Sequence, residues 1–104
     1  MDGTLDIQFR KNKLEKAYRN TKDGVRQLGA DIHRKYVQRI DLICEARNVD
    51  ELAMLPGLHW HSLKGDRAGQ FAVTLTGNFR LILTVVEDLS NTVCVEEVID
   101  YHGG

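Results

Sequence analysis

The sequence contains no long apolar run. No stretch can span a bilayer, and the N-terminal residues lack the apolar core of an export signal. The expectation is a protein of the cytoplasm with no membrane partner. Cysteine is scarce: Cys44 and Cys94 are the only two. Neither lies in a CxxC pair or a Cys/His cluster with metal-ligand spacing, which argues against a zinc site. In a reducing compartment both are expected as buried free thiols. Internal repeats, low-complexity tracts and long linkers are missing as well. Neither glycine-containing turn, at 65–69 or at 77–78, has the strand-then-helix context of a phosphate-cradling loop. No cofactor and no metal are expected.

What is present fits one domain. The 104 residues are 42% apolar and 28% charged, ordinary values for a globular chain with one core, so a single domain is expected over 1–104. The net charge of −1 conceals an asymmetry. Residues 1–39 hold ten Lys/Arg against five Asp/Glu, a net of +5; residues 40–104 hold four against ten, a net of −6. A basic half suits a polyanionic partner. A solvated helical face is the ordinary reading of the same charges.

Hydrophobic periodicity orders the elements. Leu5, Ile7 and Phe9 alternate with polar residues, as in a short strand. Residues 12–20 suit a short helix, and Thr21 to Gly24 a turn. Leu28, Ile32, Tyr36, Ile40 and Ile43 recur at intervals of three and four, which predicts a long helix from about Val25 to Ala46 with Arg26, Arg34, Lys35 and Arg39 off its apolar stripe. Asp50 is placed to cap a further short turn that Pro56 and Gly57 end. The period then becomes two. Phe71, Val73 and Leu75 alternate with Ala72, Thr74 and Thr76. Gly77-Asn78 marks a tight turn. Phe79, Leu81, Leu83 and Val85 alternate with Arg80, Ile82 and Thr84. A polar turn, Asp88 to Asn91, precedes a last strand from about Thr92 to Ile99. The result is an α+β domain: an N-terminal strand and two helices packed on a mainly antiparallel C-terminal sheet. One sheet face is expected to bury Phe71, Val73, Leu81 and Leu83 against the long helix, leaving the other face open.

Two clusters have the residue types for chemistry: His61 through Arg67, and Asp100-Tyr101-His102. Arg80 interrupts an otherwise apolar strand between them. Cleavage of RNA at a ribose needs a group to take the 2′-OH proton, a group to protonate the leaving 5′-oxygen, and cations for the phosphate charge. His61 and His102 supply the first two functions. Lys64 and Arg80 supply the third, the arginine by bidentate contact. Tyr101 can stack on a base or donate a hydrogen bond, and Asp100 can orient a histidine. Taken singly, each has an ordinary reading: a surface histidine, a charged hairpin turn, an exposed strand arginine, a frayed end. His33 and His59 are as titratable as His61, and composition does not rank the three.

Taken together the motifs resemble a known family. Pro56-Gly57-Leu58, HSLKGDRAGQ at 61–70, NFRL at 78–81 and EEVIDYH at 96–102 are similar to the HigB branch of the RelE/ParE toxins, whose pattern is an L-x-x-L-K-G-D-R-x-G block, an N-x-W-R-I strand and a C-terminal D-Y-H. The match covers the second half of the chain; the first half agrees in its order of elements. Ser62 stands where proline is commoner and Phe79 where tryptophan is usual. The resemblance implies a RelE-like fold and the toxin of a type II toxin–antitoxin system. It further implies a ribosome-dependent endoribonuclease, cutting mRNA in the A site by metal-independent acid–base attack of the 2′-OH. By position it implies His61, Asp100, Tyr101 and His102 as catalytic, and Lys64, Arg80 and Arg67 as RNA phosphate-binding. The implied partners are a cognate helix-turn-helix, HigA-like antitoxin, the ribosome with its mRNA, and promoter DNA only indirectly through the antitoxin complex. Two alternatives remain open at this point: a ParE-like non-nuclease toxin inhibiting DNA gyrase, and an inactive toxin that keeps antitoxin binding.

Overall fold

A computed structural model describes residues 4–87 and 91–100. The chain opens with strand β1, Asp6–Phe9, then helices α1, Asn12–Arg19, α2, Thr21–Leu28, α3, Ala30–Glu45, and α4, Val49–Leu52. Four strands follow: β2, His61–Ser62; β3, Phe71–Thr76; β4, Phe79–Val85; and β5, Thr92–Asp100. They form one sheet in the order β1-β5-β4-β3-β2. Strands β2 to β5 pair antiparallel, and β1 pairs parallel to β5 from Asp6↔Thr92 to Phe9↔Val95. The mainly antiparallel α+β architecture expected from the periodicities is therefore present.

The helical region differs from the sequence expectation in three places. The apolar stripe predicts one helix through residues 25–46, yet the chain breaks at Gly29. That residue takes φ +83°, a left-handed conformation that glycine adopts without a Cβ penalty. Its N–H closes α2 on the Val25 carbonyl, and its carbonyl opens α3 by accepting from His33 N–H. Second, Thr21 to Gly24 is not a turn but the start of α2, because the Asn20 side chain caps it by accepting from Asp23 N–H at 3.1 Å. Third, Asn48 rather than Asp50 caps α4, accepting from Glu51 N–H at 3.1 Å. The polar turn expected at Asp88 to Asn91 lies outside the described residues except for Asn91.

The core forms where α3 meets one face of the sheet. Tyr36, Ile40 and Ile43 of α3 pack with Val73, Leu75, Leu81, Leu83, Val93 and Val95. These alternate strand positions point to one face, as a period of two requires. The Tyr36 hydroxyl donates to the Leu14 carbonyl at 2.7 Å, tying α3 to α1. His33, only 8% exposed, uses Nε2 on the Ala17 carbonyl at 3.1 Å and packs against Gly24. Phe71, expected in the core, is half-buried and stacks on Trp60, ring centres 4.7 Å apart. Cys94 is buried and Cys44 half-buried, both as free thiols. Among the described residues no helix is long and apolar enough to cross a membrane.

Candidate functional site

The face of the sheet turned away from α3 carries Ala72 and Thr74 of β3, Arg80, Ile82 and Thr84 of β4, and Cys94 of β5, the positions alternating with the core set. A cleft of about 450 Å³ opens on this face. Ala72 and Ile82, almost wholly buried, are part of its apolar lining, with Leu63 and Ile99. His61, Lys64, Arg67 and Arg80 supply its charge. The site is thus apolar surface bordered by one imidazole and three cations.

Local structure explains how four residues separated in sequence converge. Short strand β2 pairs His61 with Ala72, so the histidine shares the open face. A 3-10 turn at Gly65–Arg67 then returns the chain, with Leu63 N–H on the Gln70 carbonyl at 2.9 Å. That turn holds Lys64 and Arg67 beside His61. The hairpin through Gly77-Asn78 carries a register shift between Thr74 and Thr76, and it brings Arg80 opposite Thr74. The Arg80 Nη1 donates to the Gly77 carbonyl at 2.9 Å and to the Phe79 carbonyl at 3.2 Å. Among the described residues neither Lys64 nor Arg80 has a carboxylate partner.

The histidines that sequence alone left equivalent differ in structure. His33 is consumed by helix packing. His59 sits at φ +55°, an uncommon conformation for a side-chain-bearing residue. Its carbonyl lies 2.9 Å from Nδ1 of His61. A carbonyl only accepts, so Nδ1 of His61 carries the proton and donates. In the neutral ring Nε2 is then the basic nitrogen. The His61 side chain is exposed and its basic nitrogen can meet a ligand.

Asp100 ends β5 opposite Phe79, exposed, directly after the cleft-lining Ile99; it does not itself line the cleft. Tyr101 and His102 lie outside the described residues. Among the described residues no three His, Cys, Asp or Glu side chains gather where a metal ion could sit. The structure therefore brings together His61, Lys64, Arg67 and Arg80.

Sequence reasoning missed three side chains, Gln70, Glu96 and Glu97. Arg67 Nη1 donates to Gln70 Oε1 at 2.9 Å and to Glu97 Oε2 at 3.1 Å. Glu97 comes from β5, where pairing steps from Ile82↔Glu97 to Leu83↔Val95 and leaves Glu96 as an extra residue. Glu96 binds Arg10 through both oxygens at 2.9 Å and accepts from the Thr84 hydroxyl at 2.6 Å. The Arg10 guanidinium, helped by Thr84, holds the Glu96 carboxyl down at about 2 against the desolvation that raises it. The signal was legible as a doublet: Glu96-Glu97 interrupts strict alternation, the mark of a β-bulge.

Residues of the 61–70 and 78–81 motifs meet at one cleft, and the comparison with protein families agrees with the resemblance. The model described as "RelE-like toxin of type II toxin-antitoxin system HigB" matches residues 7–102. The chain belongs to the HigB-like toxin family. Solved structures agree on the fold of this HigB-like chain. The YoeB–YefM complex from Staphylococcus aureus is 19% identical, covering 94% of this chain and 97% of that chain with a TM-score of 0.58. The YoeB/ParE toxin from Agrobacterium tumefaciens is 18% identical, covering 94% and 100% with a TM-score of 0.59. No curated protein matches the chain.

A second cleft of about 450 Å³ lies where α1 and α2 approach β5, with Lys11, Lys13 and Gln27 facing Glu96 and Glu97. Its charges are of both signs, and it contains no histidine. Several arginines of the basic N-terminal half are held locally. Arg19 pairs with Glu15, Arg26 with Asp23 and Arg34 with Asp31 within single helices, and Arg39 donates to the Thr74 carbonyl at 3.0 Å. Those arginines form the solvated helical faces that charge runs usually form.

Proposed function

We propose that this type II toxin, a single domain over residues 1–104, is an endoribonuclease that cuts mRNA in the A site of the ribosome. The observation that carries the reading is the cleft itself. A histidine whose tautomer leaves Nε2 basic lies in one cleft with Lys64, Arg67 and Arg80. An imidazole beside fixed cations suits a reaction that moves a proton while charge grows on a phosphate.

The chemistry follows from those groups. Nε2 of His61 takes the proton of the ribose 2′-OH as that oxygen attacks the adjacent phosphorus. A 2′-O–P bond forms and the P–O5′ bond breaks. His102 gives a proton to the leaving O5′, while Lys64, Arg67 and Arg80 hold the developing charge on the phosphate oxygens. Arg80 suits this role because a planar guanidinium can grip two oxygens at once. Asp100 orients the C-terminal histidine, and Tyr101 stacks on a base or donates a hydrogen bond. The products are a 2′,3′-cyclic phosphate, or its opened 3′-phosphate, and a 5′-OH. The toxin acts in the cytoplasm on translating ribosomes. A helix-turn-helix, HigA-like antitoxin neutralises it, and promoter DNA is reached only through that complex.

The test is a message carrying a single 2′-deoxy nucleotide at the cut site. Cleavage there should be lost while cuts at unmodified sites persist. Cleavage at the deoxy position would refute 2′-OH attack. Absence of any cut with unmodified mRNA, together with inhibited supercoiling, would establish the gyrase-directed reading instead.

A further inference from the structure

Arg67 is held differently from the other two cleft cations. Among the described residues it alone of the three has a carboxylate partner. Gln70 and Glu97 both accept from the same nitrogen, Nη1, at 2.9 and 3.1 Å. Nε and Nη2 make no hydrogen bond among the described residues. Those two nitrogens form one edge of the guanidinium fork, an edge that can grip two phosphate oxygens at once. The ion pair is half exposed, 39% at Arg67 and 47% at Glu97, so it adds little to stability. Its effect is geometric: one end of the fork is pinned from two elements, and the other end is presented.

Glu97 is available for this because of the bulge in β5. The extra residue lets two consecutive carboxylates serve the open face. Glu96 is saturated by Arg10 and Thr84, so it does not compete for Arg67. Glu97 is left to reach 30 residues back in sequence to the turn that carries Arg67. The charge on Glu97 also offsets part of the Arg67 charge until a phosphate is bound.

We infer that Glu97, assisted by Gln70, is a positioning residue that pins Arg67 by Nη1 and turns its Nε–Nη2 edge toward the scissile phosphate. The inference rests on the ribonuclease reading of the cleft. Glu97 touches no reacting atom and acts through Arg67 alone.

Four variants test it: Arg67→Ala, Glu97→Ala, Glu97→Gln and the double alanine variant, each assayed for cleavage of ribosome-bound mRNA. Glu97→Ala should lower kcat about fivefold with KM little changed. Glu97→Gln, whose amide oxygen still accepts from Nη1, should recover most of that loss. In the Arg67→Ala background, Glu97→Ala should have no further effect. An equal loss with and without Arg67 would overturn the inference. A second readout does not depend on activity: NMR relaxation of the Arg67 Nε–H in the intact protein. Its order should fall in Glu97→Ala and persist in Glu97→Gln. Unchanged order in Glu97→Ala would overturn the anchoring even if cleavage fell. If the wild-type protein cuts no mRNA, the ribonuclease reading fails, and the relaxation data still decide whether Glu97 anchors Arg67.

Discussion

Replacing Gly24 by alanine is expected to destabilise this protein, reversing the usual sign of that change. In a helix interior, glycine to alanine ordinarily gains about 1 kcal/mol. Gly24 lies within α2 but is buried against α3 and α1. A Cβ there would overlap the His33 ring at Cδ2 and Nε2 and stand 2.5 Å from the Ala17 carbonyl oxygen. His33 cannot simply move aside, because its Nε2 donates to that same oxygen at 3.1 Å. Forcing extra volume into such a site costs about 1–3 kcal/mol. Losing the buried hydrogen bond adds about 1 kcal/mol. Set against the propensity gain, a net loss of about 1–3 kcal/mol results. Urea unfolding measures it as a lower midpoint with an unchanged slope. His33→Ala removes the obstructing ring, and in that background Gly24→Ala should become neutral or stabilising, which a double-mutant cycle reads directly. A Gly24→Ala protein at least as stable as wild type would refute the close packing of α2 on α3.

Three other outcomes are expected. Tyr36→Phe should lower stability by about 1–2 kcal/mol in calorimetry, because the Leu14 carbonyl loses the hydroxyl that donates to it inside the core. Glu96 gives a pH signature: its carboxyl is held at about 2 by Arg10, below its ordinary 4.5. Its contribution is complete above pH about 4.5 and is lost as pH falls through about 2. Acid titration of Glu96→Gln should therefore show a shallower loss of stability across that window; an identical profile would remove the Arg10 clamp from the account. Arg80→Lys should restore little of the cleavage lost in Arg80→Ala, since an ammonium cannot reproduce bidentate contact with two phosphate oxygens. Equal activity of lysine and arginine at this position would show that charge alone suffices.

Much of the architecture was legible because the sheet has one clear buried face. Val73, Leu75, Leu81 and Leu83 recur at every second position of β3 and β4, and their shared burial on one face follows from that period; Ala72 and Ile82, on the opposite face, are buried as well. The break at Gly29 was hidden because the apolar stripe continues from Leu28 to Ile32 on both sides of it. Periodicity reports which face is buried, not whether one helix or two supply it. Gly24 misled for a related reason: it suggests a turn locally, while its absent side chain is needed for close approach to His33. In the site, His61, Lys64, Arg67 and Arg80, all carried by the motifs, line one cleft, whereas Asp100 does not line it and Tyr101 and His102 lie outside the described residues. The roles of His59, Gln70 and Glu97 were not legible, because they depend on a backbone carbonyl's direction and on a one-residue slip in strand register. The slip left a trace in the Glu96-Glu97 doublet, but which guanidinium each carboxylate meets is a property of the folded sheet.

Under the proposed function, the cleft holding His61 cleaves mRNA on the ribosome. Primer extension on a defined mRNA in a reconstituted translation reaction tests it most directly, with wild-type toxin beside His61→Ala and His102→Ala. Cuts within A-site codons that vanish in both variants are the expected result. Undisturbed translation with no cuts, or cuts that survive both substitutions unchanged, would contradict it.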